Sequence, residues 1–502
     1  MIVKQNDKKS KADYLPFPLP EDSPRWKAIW DLLPEDDNAK IVERQVNRLD
    51  RTVVDRIYRR SGSTPYDPMA MLKMVLYQYL KGNQSPAKWR SEALLHGAMQ
   101  WLGRGYVPAR RTWYDFRDRM AKIIEVIHRQ IVQRSLDEGH VDPTTGVQDG
   151  TAMAACASRH RMVTLATLKE RQALLQECLA GRWPEHIPQW VPLTSFGLQD
   201  MACRVDVALM VLEERIAENA KKPSDKRKDP KKIRVSLSDP VAPLGRDKQK
   251  VFRPLYTVQY VVAPFSYLIL AYCCEADVTD VGTLIPMIDK VRQLVDDRLR
   301  TMLTDASYCS ILDLRDCRDR NVELLAPVQA NSLTESKKQR QTPRQLARDQ
   351  FLWQEAPQSY RCPQGHELTY HDRTRKQRHG GRHLWESRYR SAEEHCSVCL
   401  LARQCLRPGL TRRTITRLED QALLDAQREK MARPDIQQRY KLRGQTVERM
   451  FADGKWNRGF TRFHGRGLTR VRAETGLIVV AQNLQRLDRL ERKSPNTAPE
   501  PT

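Results

Sequence analysis

Three carboxylates stand where a metal ion could use them: Asp149 in VQDGTAMAA, Asp305 at the end of TMLTD, and Glu448 in TVERMFADGKWNRGFTRFHGRGL. Cleaving a phosphodiester with two divalent cations about 4 Å apart calls for such oxygen donors. One ion activates the attacking oxygen, the other stabilises the leaving one, and Mg²⁺ is a hard cation that prefers carboxylates. Each acid lies on a different element, so the chemistry requires those elements to converge. After Glu448 the sequence turns basic and aromatic. If residues 445–457 formed a regular helix, Glu448 and Lys455, seven apart, would share one face and pair a metal-binding acid with a phosphate-binding lysine. Arg458, Arg462 and Arg466, with Phe460 and Phe463, would add charge and stacking surface for a nucleic-acid strand. The chain has 62 acids and therefore many triplets, and an aspartate at a strand end also serves to cap a turn. A structural reading of each acid thus stands beside the catalytic one.

A second constellation is Cys362 with Cys396-x-x-Cys399 and Cys405. The CxxC spacing lets two thiolates grip one tetrahedral ion, so the four suit Zn²⁺, with His366 able to replace a cysteine. The other reading is free thiols, with Cys405 packing as a small apolar residue. A disulfide framework is not expected, because a reducing compartment keeps thiols free.

The elements that must position these groups fall into regions. At 502 residues the chain is long enough for two or three domains. Residues 24–140 show apolar spacing near three and four throughout, and Asp67-Pro68 and Ser85-Pro86 read as helix starts. Within them, residues 107–120 form a basic aromatic helix that suits either DNA recognition or the closing of a bundle. From 141 the order becomes strand, hairpin, helix, strand, helix, strand, as in a mixed sheet covered by helices. Residues 331–432 are polar and arginine-rich, and read as an insertion too polar to build its own core. A helical pattern resumes at 433. Residues 1–23 read as a flexible arm and 491–502 as a disordered tail.

The net charge of +24, from 86 Lys+Arg against 62 Asp+Glu, favours a polyanionic partner, and nucleic acid leads. No secretory signal precedes the helices, so a cytoplasmic, nucleoid-associated location is expected. LYTVQYVVAPFSYLILAYCC, residues 255–274, is long enough to span a membrane. Its central Pro264 and its β-branched and aromatic content instead predict two buried strands joined at APFS, with no membrane association.

VQDGTAMAACAS, MLTDASYCS and YKLRGQTVERMFADGKWNRGFTRFHGRGL, continuing to residue 490, resemble the DDE transposases of bacterial insertion sequences. The resemblance spans most of residues 40–490. Its specific part is a signature of tyrosine, arginine, glutamate and lysine followed by GF-x-RF-x-x-RGL, matched here by Tyr440, Arg443, Glu448, Lys455 and Gly459 through Leu468. That signature has three residues between arginine and glutamate, whereas this chain has four, Gly444 to Val447.

The resemblance implies a multidomain chain. It would have an all-α N-terminal DNA-binding domain (24–140), an α/β ribonuclease-H-like core (141–330 and 433–490), and a basic, cysteine-containing insertion (331–432) before the catalytic glutamate. It implies that Asp149, Asp305 and Glu448 bind Mg²⁺ (or Mn²⁺) and catalyse cleavage at transposon ends and strand transfer of the 3′-hydroxyl into target DNA. Tyr440 and Lys455 would position double-stranded DNA, with Arg443, and a homo-oligomer would synapse two ends. Glu474 in VRAETGL is a competing acid, but its neighbours match the family's tail instead of its catalytic position. Two other readings are a catalytically inactive transposase-derived DNA-binding protein and a metal-dependent nuclease without strand transfer.

Overall fold

The computed structural model describes residues 14–58, 63–222, 224–247, 249–329, 346 and 348–493. The arm up to residue 13, the start of the insertion and the tail from 494 lie outside the described residues. The chain forms two compact units, Met1–Thr279 with Lys290–Arg298 and Gly444–Thr502, and Asp280–Asp289 with Leu299–Arg443.

The first unit opens with eight helices: α1 (Pro24–Leu32), α2 (Asn38–Asn47), α3 (Arg51–Asp55), α4 (Pro68–Leu80), α5 (Pro86–Leu95), α6 (Gly97–Leu102), α7 (Arg110–Met120) and α8 (Ile124–Asp137). Asp67 starts α4 as its sequence position predicts. Its carboxylate accepts from the backbone N–H of Met69 at 2.8 Å and Ala70 at 3.0 Å, satisfying donors that the first turn leaves unpaired. Ser85 precedes α5 without making a side-chain cap.

β1 (Thr145–Ala154) follows, then β2 (Met162–Val163), the long helices α9 (Leu165–Leu179) and α10 (Ser195–Ala220), β3 (Val235–Ser236), β4 (Leu244–Arg246), β5 (Phe252–Val262) and β6 (Ile269–Glu275). β5 pairs antiparallel with β1, β4 and β6. The apolar run 255–274 is thus a buried hairpin, and among the described residues no helix is long and apolar enough to cross a membrane.

The C-terminal helix, Leu468–Lys493, is the pillar of this unit. It is buried almost all round from Val471 to Asp488 and packs on α2, α4, α7, α8 and β6, as a helix flanked on every side must. At Gly476 an added Cβ would lie 2.6 Å from the Tyr272 hydroxyl and 2.7 Å from the Ile124 side chain, so the approach of three elements depends on that glycine. Asn483 serves the start of β6: its side chain accepts from Ile269 N and donates to Ile269 O, both at 2.9 Å.

His128 Nε2 also lies 2.8 Å from that carbonyl. Burial holds His128 down to about 4. The unfolded chain therefore takes up this proton first as pH falls, and the stability His128 contributes above pH 6.5 is lost on the way to pH 4. At pH 5 the loss is about 2 kcal/mol. The urea midpoint of the wild type should fall between pH 7 and 5 by more than that of His128→Gln. Parallel falls would count against this assignment.

In the second unit β7 (Thr301–Leu303) pairs parallel with β8 (Glu323–Leu325), and α11 (Ile311–Asp319) between them starts with a capping box of Ser310 and Asp313. Five antiparallel strands follow, β9 (Leu352–Gln354), β10 (Ser359–Arg361), β11 (Glu367–Gln377), β12 (His383–Ser391) and β13 (Thr414–Leu418), in sheet order 13-12-11-10-9. This corrects the expectation that the insertion cannot form a core. Phe351, Tyr360, Leu368, Tyr389, Cys405 and Ile415 are buried together, with Trp353, Tyr360 and Tyr389 in edge contact at 5.0–5.5 Å. A few large aromatics bury as much area as many aliphatics, which is how so polar a segment folds. Helices Gln421–Ala432 and Pro434–Tyr440 close the unit.

Candidate active site

In the first unit the sheet register sets the direction of Asp149. Asp149 on β1 stands opposite Tyr260 on β5, and opposite residues of an antiparallel pair project from the same face. Tyr260 stacks on Phe451 with ring centroids 5.0 Å apart and planes 18° from parallel. Phe451 lies three residues beyond Glu448. The face bearing Asp149 is therefore the face on which the Glu448 segment sits. Thr151, two residues along β1 and so on the same face, accepts from Lys455 Nζ at 2.5 Å, and Ala152 O accepts at 3.0 Å. Asp149 is half-buried and Glu448 exposed.

The segment carrying Glu448 is not a regular α-helix. Gly444–Glu448 is a π turn, Arg449–Ala452 one α turn, and Asp453–Asn457 a second π turn. The expected eclipse of Glu448 and Lys455 rested on an even α repeat, so it is replaced by this wider winding, and Lys455 instead reaches the sheet. A π turn takes one more residue per hydrogen-bonded ring than an α turn. The first lies where this sequence has four residues between Arg443 and Glu448 instead of the three of the resembled signature. Thr446, Val447, Met450, Phe451 and Gly454 anchor the segment in the interior.

In the second unit Asp305 follows β7 and does cap a turn. Its Oδ1 accepts from Ser307 N at 2.7 Å and Ser307 Oγ at 2.5 Å, while Oδ2 lies 4.0 Å from Arg443 Nη2. The Tyr440 hydroxyl donates to Thr304 O at 2.9 Å. Tyr440 and Arg443 thus gather around the loop that presents Asp305.

The remaining sites divide. Arg462 and Arg466 are exposed beside the end of β1, where Ala154 bridges to Arg462 and Arg466 Nε donates to Cys156 O at 3.2 Å. Arg458 braces the fold: it donates to Asp453 at 2.8 Å, Leu80 O at 2.8 Å and Gln485 at 2.6 Å. Phe460 and Phe463 are buried, which overturns the expectation that they offer stacking surface. They pack near Tyr79 and Tyr256, because the glycine-punctuated loop turns its aromatics inward. The exposed aromatic of the segment is Trp456, at 84%, missed in the sequence although it adjoins Lys455. Glu474 is fully buried on the C-terminal helix, where it accepts from Arg117 at 3.3 Å and from the backbone N–H groups of His464, at 2.9 Å, and Gly465.

All four cysteines, with His366 and His395, line one cavity of about 30 Å³ in the second unit. Cys362 lies in a tight turn closed by Gly365 N donating to Cys362 O at 2.8 Å, and Ser391 Oγ is 3.0 Å from Cys396 Sγ. Burial pushes the Cys405 thiol up, Arg413 pulls it down, and the other three sulfurs add to the rise. Among the described residues, the ligating atoms that gather as three within 4.8 Å belong to Glu138, His140 and Glu491. Arg48 already bridges those two glutamates, so a cation is in place there.

Two segments match family models. Residues 28–119, within α1 to α7, match a Transposase domain (DUF772), and residues 361–488, which include Tyr440, Arg443, Glu448, Lys455 and the cysteines, match a Transposase DDE domain. Both matches are to transposases. Together they indicate an insertion-sequence DDE transposase. No curated protein and no solved structure matches the chain.

Proposed function

We propose that this transposase cuts phosphodiester bonds at the ends of its element and joins the freed 3′-hydroxyl to target DNA, using Asp149, Asp305 and Glu448 on a ribonuclease-H-like core. The observation that carries this is the seating of the Glu448 segment on the face of β1 that bears Asp149, with Lys455 anchored to that strand. Three carboxylates form an all-oxygen donor set suited to a hard divalent cation. When bound, Mg²⁺ (or Mn²⁺) would lower the cost of forming the attacking oxyanion and stabilise the leaving one. The chain's own part is positional: Lys455 offers a fixed positive charge to a phosphate, and Tyr440 and Arg443 hold the Asp305 loop. Arg462 and Arg466 present charge to the DNA backbone, the helices of 24–140 recognise the ends, and two or more copies synapse them on cytoplasmic, nucleoid DNA.

The test is incubation of the full-length protein with labelled duplex bearing the element's ends, with Mg²⁺ or EDTA, followed by a supercoiled target. Metal-dependent cutting and joined products support the reading. Cutting without joining indicates a plain nuclease, and binding without cutting an inactive DNA-binding protein.

The cysteine cavity supports a structural Zn²⁺ as a further part of this reading. Zinc would draw the four thiolates of Cys362, Cys396, Cys399 and Cys405 inward and fasten two turns to the small aromatic core. Purified protein should contain about one zinc per chain by elemental analysis, falling close to zero in Cys396→Ser/Cys399→Ser, with a lower melting temperature after chelation. Zinc-free protein that melts like untreated protein would leave the thiols as packing.

A further inference from the structure

Beside the Glu448 segment lies a pocket of about 300 Å³ lined by Tyr267, Arg449, Trp456, Arg486 and Arg489 among others. Its charge is one-sided. Among the described residues none of Arg449, Arg486 and Arg489 is in an ion pair. The one carboxylate in the lining, Asp453, is taken by Arg458 at 2.8 Å and Asn457 at 3.0 Å. Holding three guanidinium groups together is unfavourable, yet the structure holds two of them in place. Arg449 and Arg486 both lie over the Tyr267 ring, at 5.0 and 4.8 Å, and Arg486 donates to Ser266 O at 2.5 Å and Phe265 O at 3.2 Å. Burial, then Arg449 and Arg489, pull the Arg486 pKa down.

Trp456 stands at the rim, 84% exposed. A large indole open to solvent beside unpaired arginines matches the two needs of a single strand, phosphate neutralisation and a platform for an unstacked base. A duplex keeps its bases stacked inside and has no use for the indole face.

We propose that this pocket holds an unpaired stretch of the DNA being cut, with phosphates on Arg449, Arg486 and Arg489 and a base on Trp456. This rests on the reading that the protein acts on DNA, and it adds that the DNA beside Glu448 is opened. None of Asp149, Asp305 and Glu448 lines the pocket, so it positions substrate without entering the chemistry.

The experiment compares binding of the full-length protein to two fluorescent duplexes with the same end sequence, one fully paired and one with its terminal bases mismatched, across a salt series. Wild type should favour the mismatched end. Trp456→Ala should lower affinity for the mismatched end about tenfold and leave the paired end unchanged. Arg489→Gln, at an exposed residue with no internal hydrogen bond among the described residues, should lower the salt dependence on the mismatched end by roughly 0.7 in log–log slope, and it tests the site without loosening the Arg486 contacts. Equal affinity of wild type for the two ends, or variants that weaken both ends alike, would overturn the proposal, the latter by making the pocket a grip on duplex backbone. Failure of wild type to bind either duplex would instead overturn the DNA reading beneath it.

Discussion

Glu448→Gln should lower metal-dependent cutting at the element's end by about 10³-fold or more while leaving DNA bound. Glutamine keeps the size and the backbone of the turn but gives a neutral oxygen in place of a carboxylate. The structure makes the substitution tolerable: Glu448 is exposed, and Val447, Met450 and Phe451 anchor its segment in the interior. Binding should be equal or slightly tighter, because removing a negative charge near a phosphate relieves a repulsion of about 1 kcal/mol at contact distance in water. Asp149→Asn should behave alike, since its carboxylate projects from the face on which that segment sits. Cleavage rates from a denaturing gel, read beside binding curves, check both. A variant that cuts within a few fold of wild type would remove Glu448 from the chemistry.

Arg117→Met should be among the most destabilising single changes in the first unit, at about 3–5 kcal/mol. Arg117 and Glu474 are both buried, and methionine would leave the carboxylate without its cation. Burial pushes Glu474 up to about 7, against the pull of Arg117 and of the His464 and Gly465 N–H groups. An acid whose folded pKa is raised binds more protons folded than unfolded, so its contribution is greatest below about pH 4.5 and is lost as pH rises toward 7. Without Arg117 that rise should be steeper, and the deficit of Arg117→Met should be larger at pH 8 than at pH 5. Urea midpoints at the two pH values measure this. Arg117→Met/Glu474→Leu should recover part of the loss, because replacing both charges removes the need to solvate either. A deficit independent of pH would mean that lost packing dominates.

The parts of this arrangement legible in the sequence are those fixed by local pattern. The helices from α1 to α8 follow from apolar spacing, and the hairpin of β5 and β6 from a β-rich run broken at Pro264. The cysteines could be grouped by spacing, and Glu448 with Lys455 by resemblance. What was not legible depends on contacts far apart in the chain. Nothing local shows that Phe460 and Phe463 turn inward, or that Glu474 will meet Arg117, 357 residues away. The π turns were hidden for another reason. Their pitch depends on anchors such as Phe451 on Tyr260, and an α-helix is the default for the same residues. The core of β9 to β13 was missed because it uses few but large side chains, which barely change the mean hydropathy.

The pillar helix Leu468–Lys493 also has a temporal consequence. A chain is made from its N-terminus, and domains generally fold as units during synthesis. Here α2, α4, α7 and α8 find their common partner only when the last helix is made. Until then the faces of these helices that pack on it await cover, and contacts of such long sequence separation form slowly. A ribosome that stops short of Leu468 therefore releases a fragment without its keystone, so a truncated copy of the gene is poorly placed to yield a stable competitor of the full protein.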